Sequence, residues 1–475
     1  MNHPSAVTGH QGGSPVSANQ HTVTKRRYAV AGTGARAALY VDSLLGTHAP
    51  DGELVAWCEP NPARAAYYDA KLAAAAAPAV STYGPDQLEA MIATEKVDAV
   101  IVTSPDHTHA DIVSRVLKAG ADVVLEKPMS VSEEGCRQIK SALDACDGSL
   151  AMTFNYRYAP RNTALKRVIA SGAIGEVTAV HFEWMLDTVH GADYFRRWHR
   201  DKANSGGLLV QKASHHFDLV NWWLDDSPQT VFARGSLKFY GPAAAGIGMA
   251  GTPRPARGTP GAIGGPNPAA TADPFLMDLR SDEKLRRLYL DGEAYDGYRR
   301  DQDCFAPGVT IEDTMSAMVG YRRGATLTYS LVAYAPWEGY RVAVTGTQGR
   351  AELDVVERAA SLIGQDGEIV AGPGPHPSLP TTETGTAARR NGERLVVQTL
   401  WAPAHEIPIP KSDGDHGGGE AELLRDLFVG AGDDTWGRRA GWSDGLRSAA
   451  VGLAANRSMQ TGTPVGTNEL TIGEI

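Results

Sequence analysis

Val123-Val124-Leu125-Glu126-Lys127-Pro128-Met129 is the stretch on which the reading of this chain turns. An apolar strand runs into a Glu-Lys-Pro corner. Proline fixes its own φ and pushes the preceding residue out of the helical region. Lys127 is therefore expected to stand extended at the carboxyl end of a strand, where open α/β sheets bind ligands. Upstream, short apolar strands (27–31, 54–58, 98–103 and 122–125) alternate with helical stretches (38–45, 65–77, 87–94 and one ending at Ala119). This alternation predicts an α/β fold with a doubly wound parallel sheet.

The first strand enters Gly32-Thr33-Gly34-Ala35-Arg36-Ala37 and then a helix. This is the dinucleotide fingerprint with alanine last. Gly32 allows the tight turn, Gly34 lets a pyrophosphate approach the backbone, and Ala37 lets helix and strand pack closely. The helix N-terminus offers Ala35 and its neighbours' N–H groups to phosphate. The second strand ends in Glu59, a carboxylate able to accept from both ribose hydroxyls of NAD and to repel a 2′-phosphate. NAD is expected rather than NADP, although Arg36 and Arg64 place positive charge nearby. The strand 98–103 opens into Ser104-Pro105-Asp106-His107-Thr108-His109. His107 and His109 lack Cys or carboxylate partners at ligand spacing, so no metal is expected. The loop is placed on the nicotinamide side, with Thr108 or His109 capping the next helix.

The 475 residues suffice for two domains. Apolar content of 42% and charged content of 21% are ordinary for a globular protein, and a net charge of -10 argues against a general nucleic-acid binder. Four cysteines without CxxC spacing are read as reduced thiols of a cytoplasmic protein. No apolar run is long enough to span a membrane. Arg26-Arg27 precedes a strand and a glycine turn rather than an export segment. Residues 1–24 are polar and read as a disordered tail.

Downstream, Asn155-Tyr156-Arg157-Tyr158 opens the second half, followed by a helix over 162–171 and an alternating strand over 177–186. Further strands near 316–321, 325–334, 340–345 and 350–355 fit a half-solvated antiparallel sheet. Gly/Pro-rich loop insertions fall near 241–273 and 364–393, and an amphipathic helix over 442–459 ends the fold. The stretch from Asp187 to Arg200 holds Asp187, His190, Tyr194 and Trp198 with three arginines. It suits a pocket for a hydroxyl-rich ring or an anion, or equally an ion-paired loop. A helix over 208–224 sets Lys212 and His215 on one face. His416, flanked by glycines at a helix start, is either a pocket group or a cap.

The ordered set Gly-x-Gly-x-x-Ala, Glu59-Pro-Asn-Pro-Ala-Arg64, Val-Thr-Ser-Pro-Asp-His-Thr-His and Glu126-Lys127-Pro128 resembles the Gfo/Idh/MocA oxidoreductases. The likeness extends over nearly all of the chain after residue 25. It implies an NAD-binding Rossmann domain over 25–150 and a substrate-binding α/β domain over 151–475 with a large, mostly antiparallel open sheet. It also implies a sugar or glycoside substrate, neither nucleic-acid nor membrane partners, and a homo-oligomer formed through the sheet's open face. By resemblance, the cofactor contacts are Gly32, Gly34, Ala35, Arg36, Glu59, Arg64, Ser104, Pro105, His107, His109, Glu126 and Lys127. The Tyr156-Arg157 pair is implied to reach the cleft. The family's Asp-x-x-x-His dyad maps onto Gln211 and His215, so the aspartate is missing. Without it His215 is a weaker base, and the base is His215 alone, Lys127, or Lys212. Substrate contacts are expected from Tyr156, Arg157, Asp187, His190, Tyr194, Trp198, Gln211, His215 and His416. The expected reaction is hydride transfer from a secondary hydroxyl, at C3 of a sugar or glycoside. Two alternatives are a redox-neutral glycosidase working by transient C3 oxidation, and a non-catalytic nucleotide-bound sensor.

Overall fold

A computed structural model describes residues 25–247, 275, 277–363, 369–371, 388–410, 418–430 and 432–473. Six parallel strands build the first sheet: β1 (Arg26–Ala31), β2 (Gly52–Cys58), β3 (Ser81–Tyr83), β4 (Ala99–Val102), β5 (Asp122–Leu125) and β6 (Leu150–Met152). Their spatial order is 3-2-1-4-5-6. The order reverses between β1 and β4, and in open α/β sheets the crevice that binds ligands lies at the carboxyl ends of the strands at such a reversal. β1, β4 and β5 are almost wholly buried, as the continuous β-branched runs require of a parallel sheet covered on both faces.

The second sheet contains β7 (Val177–Asp187), β8 (Pro228–Ser236), β9 (Thr314–Tyr321), β10 (Thr326–Ala335), β11 (Glu338–Gly346) and β12 (Gly349–Arg358). A separate hairpin pairs β13 (Ser361–Ile363) with β14 (Ile369–Ala371), and β15 (Gly392–Thr399) and β16 (His405–Ile407) extend the large sheet. After β17 (Ala440–Gly441), β18 (Val465–Gly466) closes the far edge, in the order 16-15-12-11-7-10-9-8-18. Among the described strands of this sheet, only β7 and β10 pair in parallel. Along β7, Val180, Phe182, Trp184 and Leu186 are buried, whereas His181 and Glu183 face outward. This is the period-two pattern of a sheet with one covered face.

Three local features depart from the sequence reading. Asp187–Arg200 is not an irregular loop: Thr188–Arg196 is helical, with Asp187 as its N-cap. The single helix over 208–224 is two, Leu208–Gln211 and Ser214–Leu224. At the break the Ala213 amide reaches the Leu208 carbonyl, five residues back, which widens the turn. The last helix, Trp442–Thr461, is not amphipathic, for Ser448 to Ala455 is a continuous buried run. Just before it, β17 adds antiparallel to β6, so the end of the chain returns to the first sheet. β15 begins inside the stretch read as loop over 364–393. The tail over 1–24 and most of the 241–273 insertion lie outside the described residues.

Candidate active site

At the crevice, Gly32 has φ +88, and a Cβ on it would lie 2.5 Å from Ser104 Cα. Only glycine lets the loops after β1 and β4 meet so closely. The Gly34 carbonyl accepts from the Tyr68 hydroxyl at 2.6 Å, and the Ala35 amide donates to the Tyr289 hydroxyl at 3.0 Å. The helix that follows has no acidic residue in its first turn, leaving its positive end uncompensated. Glu59 is buried at the end of β2. It accepts from the Thr33 amide at 2.8 Å and hydroxyl at 3.1 Å, and from the Asn61 amide at 2.8 Å. Arg64 lies 3.5 Å away. These residues fit a dinucleotide: Gly32, Gly34 and Ala35 would hold its phosphates and Glu59 its ribose. The Tyr289 hydroxyl occupies the Ala35 amide, which would otherwise be open to a phosphate.

Two expected cofactor contacts are braces instead. Arg36 pairs with Glu126 and with Glu420 at 3.0 Å. Glu126 accepts from Arg36 and from the Tyr40 hydroxyl at 2.6 Å, and its other oxygen accepts from the Lys127 amide at 3.2 Å. Both are spent on fixing the Glu-Lys-Pro corner to the first helix.

The loop after β4 divides in the same way. His109 is fully buried, with Nδ1 at 2.8 Å from the Pro128 carbonyl and Nε2 at 3.1 Å from that of Ser104. It ties two loops together, both ring nitrogens spent on carbonyls, and does not cap the helix. Thr108 closes its own turn, bonding the Pro105 carbonyl and the Ser104 hydroxyl at 2.7 Å each. His107 is exposed and meets the Trp198 ring edge-on, centroids 6.5 Å apart. Asp106, which the sequence reading passed over, is buried with one carboxylate oxygen unpartnered. Burial raises its pKa well above the usual carboxylate range, against the pull of Lys127 and Arg197. Its signal was available: an acid in a loop at a strand's carboxyl end.

Lys127 follows directly. Its Nζ donates to the Gln211 carbonyl at 3.2 Å, which joins the corner of the first half to the helical turn just before His215. Burial lowers its pKa to about 8, opposed by Asp106 and Glu126 and assisted by Lys212 and Arg36. The His215 ring stacks on Tyr156, centroids 4.4 Å apart and planes within 10°. Lys212 is buried with Nζ 4.6 Å over the Trp184 ring, and burial lowers its pKa against Glu338 and Glu357. The Gln211 side-chain oxygen is buried without a partner. The three candidate bases therefore gather around Gln211 and the Tyr156 ring, with Lys127 on the Gln211 carbonyl and Lys212 and His215 against Tyr156.

His190 and Tyr194, one turn apart, stack at 5.6 Å. His190 Nδ1 lies 2.6 Å from Glu338, a fully buried carboxyl pushed up to about 7, chiefly by burial. Nothing in the sequence singles out Glu338, which enters only because β11 starts beside the helix carrying His190. His199 Nδ1 is buried and unpartnered.

Two expected substrate contacts are structural. Asp187 caps the amides of Val189 (3.0 Å) and His190 (2.9 Å) and pairs with Arg358 in a fully buried ion pair. Arg157 is clamped by Asp218 at 2.8 and 2.6 Å and by Asp444 at 2.9 Å. Both already spend their charge on the fold. Of the three arginines in the stretch, Arg196 holds the Phe275 carbonyl and Arg200 those of Asp303, Ala306 and Pro307, while Arg197 pairs with Asp193 at 3.1 Å. His416 lies outside the described residues. Among the described residues no group of three or more His, Cys, Asp or Glu side chains converges as metal ligands, and no helix is long and apolar enough to cross a membrane.

Comparison with known proteins bears directly on this site. The model of the oxidoreductase family's NAD-binding Rossmann fold matches residues 26–154, and that of its C-terminal alpha/beta domain matches 166–467. The chain belongs to the Gfo/Idh/MocA oxidoreductases. It is 33% identical over 414 residues to YteT of Bacillus subtilis (strain 168), a protein named as an oxidoreductase, covering 82% of this chain and 86% of that one. An inositol 2-dehydrogenase of Rhizobium meliloti (strain 1021) is 29% identical over 150 residues, 32% of this chain and less than half (43%) of that protein. Among solved structures, the aldose-aldose oxidoreductase from Caulobacter crescentus complexed with glycerol superposes with a TM-score of 0.58. It shares 17% identity over 93% of this chain and 99% of that one. An Agrobacterium radiobacter oxidoreductase in complex with NAD+, L-tartaric acid and magnesium superposes with a TM-score of 0.59 at 16% identity, covering 94% of this chain and 100% of that one. At these identities the structures speak to fold alone.

Proposed function

We propose that this oxidoreductase removes hydride from a secondary hydroxyl, at C3 of a sugar or glycoside, with NAD rather than NADP as acceptor. The observation that carries the reading is the place of Lys127: an amine at the carboxyl end of β5, bonded to the turn that leads to His215, whose pKa burial lowers to about 8. NAD, when bound, supplies the hydride acceptor. Lys127 holds the substrate oxygen. As a neutral amine it takes the hydroxyl proton, and as ammonium it stabilises alkoxide charge. His215, fixed by Tyr156, donates to the same oxygen. Asp106, Gln211 and His199 bring buried polar atoms that want partners, as the remaining ring hydroxyls would provide. The name of the inositol 2-dehydrogenase points to the same substrate class. Glu59 favours NAD by repelling a 2′-phosphate. We also assign the protein to the cytoplasm and to a homo-oligomer formed through the outward face of β7, β10 and β11.

The test is incubation with NAD and a panel of inositols, aldoses and nitrophenyl glycosides, reading NADH and free phenol separately. NADH from at least one cyclic substrate, abolished by Lys127→Ala, is the expected result. Catalytic phenol release with no net NADH would replace oxidation by the redox-neutral glycosidase. Activity unchanged in Lys127→Ala would overturn the role of that residue, and silence across the panel would favour a nucleotide-bound sensor.

A further inference from the structure

A segment of the second half reaches back over the dinucleotide turn. Between β8 and β9, Glu283–Leu285, Arg286–Leu290 and Glu293–Asp296 form three short helical turns. Leu288 anchors them, fully buried in the apolar cluster that holds Tyr28, Val30, Trp57 and Tyr68 of the first half. Tyr289 meets the Ala35 amide, as described. The Asn61 side chain donates to the Gly292 carbonyl at 2.9 Å and to Asp296 at 2.8 Å. Arg64 donates to the Leu288 carbonyl at 3.2 Å and pairs with Asp296 at 2.6 Å, against 3.5 Å to Glu59.

The end of β2 therefore carries two carboxylates and one guanidinium. An arginine beside the adenosine ribose is a natural partner for a 2′-phosphate, because its planar fork matches phosphate oxygens. Here its closest ion pair is with Asp296, so a phosphate arriving there would have to displace one carboxylate and sit beside another. We infer that Asp296, supplied by the second half of the chain, is a cofactor-specificity residue that holds Arg64 away from a 2′-phosphate and so excludes NADP. This rests on the dinucleotide reading of the site above.

The test measures NADH and NADPH dissociation constants by fluorescence on the full chain, for wild type, Asp296→Asn, Asp296→Ala and Asp296→Asn/Arg64→Ala. Asp296→Asn keeps the hydrogen-bonding shape and removes the charge. It should lower the NADPH-to-NADH ratio of dissociation constants about tenfold or more, mainly by tightening NADPH, with NADH within about threefold of wild type. Adding Arg64→Ala should restore discrimination. A ratio that stays within about twofold of wild type in both single variants, with NADH still bound, overturns the inference and leaves the dinucleotide site standing. A wild type that binds NADPH as tightly as NADH overturns the inference and the NAD preference together. Binding of neither nucleotide overturns the dinucleotide reading itself.

Discussion

Two regions of this molecule bury positive charge, and they treat it differently. Beneath the cleft, Arg157 is held by Asp218 and Asp444, and Arg358 by Asp187, each with a carboxylate oxygen within hydrogen-bond distance. In the cleft, Lys127 donates to a backbone carbonyl and Lys212 lies over an indole ring. A buried cation closed by a carboxylate keeps its charge and acts as a fold element. One left facing carbonyls and rings has its pKa lowered by burial, to about 8 for Lys127. The contrast explains why Arg157, read from the sequence as a substrate contact, has its charge claimed by the fold, while Lys127, read there as a candidate base, is left facing a carbonyl.

The largest expected effect tests the cleft side. Lys127→Ala should reduce turnover by about 10³-fold or more, since it removes both the proton acceptor and the charge on the oxygen. NADH affinity should stay within a few-fold, measured by fluorescence titration on the same protein. Equal losses in affinity and turnover would instead make Lys127 a cofactor-holding residue. Beneath the cleft, Arg157→Met should destabilise the protein by about 3–5 kcal/mol in urea unfolding, because Asp218 is left buried and unpaired, while Asp444 keeps Arg447 at 2.7 Å. Asp218 is already pushed up to about 6 by burial with its arginine in place. The double variant Arg157→Met/Asp218→Leu should recover much of the loss. If it recovers none, the pair is more than a closed charge and the contrast weakens.

A smaller effect separates the two kinds of cation by pH. Lys127 is lowered from 10.5 to about 8 in the fold. Below pH 8 it is charged in both folded and unfolded chains, and the fold bears the full cost of burying it. Between about 8 and 10.5 the unfolded chain holds a proton that the native one has released, so stability rises with pH across that window. Lys127→Met should therefore be more stable than wild type at pH 7, by about 1–3 kcal/mol, with the gain fading toward pH 10.5. Thermal midpoints across that range read it directly. A constant gap would mean that packing, rather than charge, accounts for the difference.

The first sheet was legible in the sequence because each strand is a short apolar run closed by a turn signal, and Gly32 and Glu59 sit where the strand ends put them. The strands β7 and β9 to β12 were legible from their alternation. What was not legible depends on partners distant in sequence. Asp187 and Arg157 carry no local mark of the arginine and aspartates that claim them. Glu338 joins His190 across almost 150 positions, a reach no periodicity encodes. The buried closing helix was misread because its alanines and glycines give little polarity contrast, although close packing on two sides is what small residues allow.

The smallest effect expected lies where the second half touches the first. The Tyr289 hydroxyl accepts the Ala35 amide hydrogen that a phosphate would otherwise take. In the nucleotide-free protein, Tyr289→Phe leaves that amide to water or to nothing, at a cost of about 1 kcal/mol. With a phosphate bound, the amide is satisfied in either variant. The substitution should therefore tighten NADH by a few-fold, with faster association, measured by stopped-flow fluorescence. Weaker binding in Tyr289→Phe would reverse the assignment, making the hydroxyl a cofactor ligand rather than a placeholder. It would also move Tyr289 from the residues that close the protein's own hydrogen bonds to those that leave them open for a ligand.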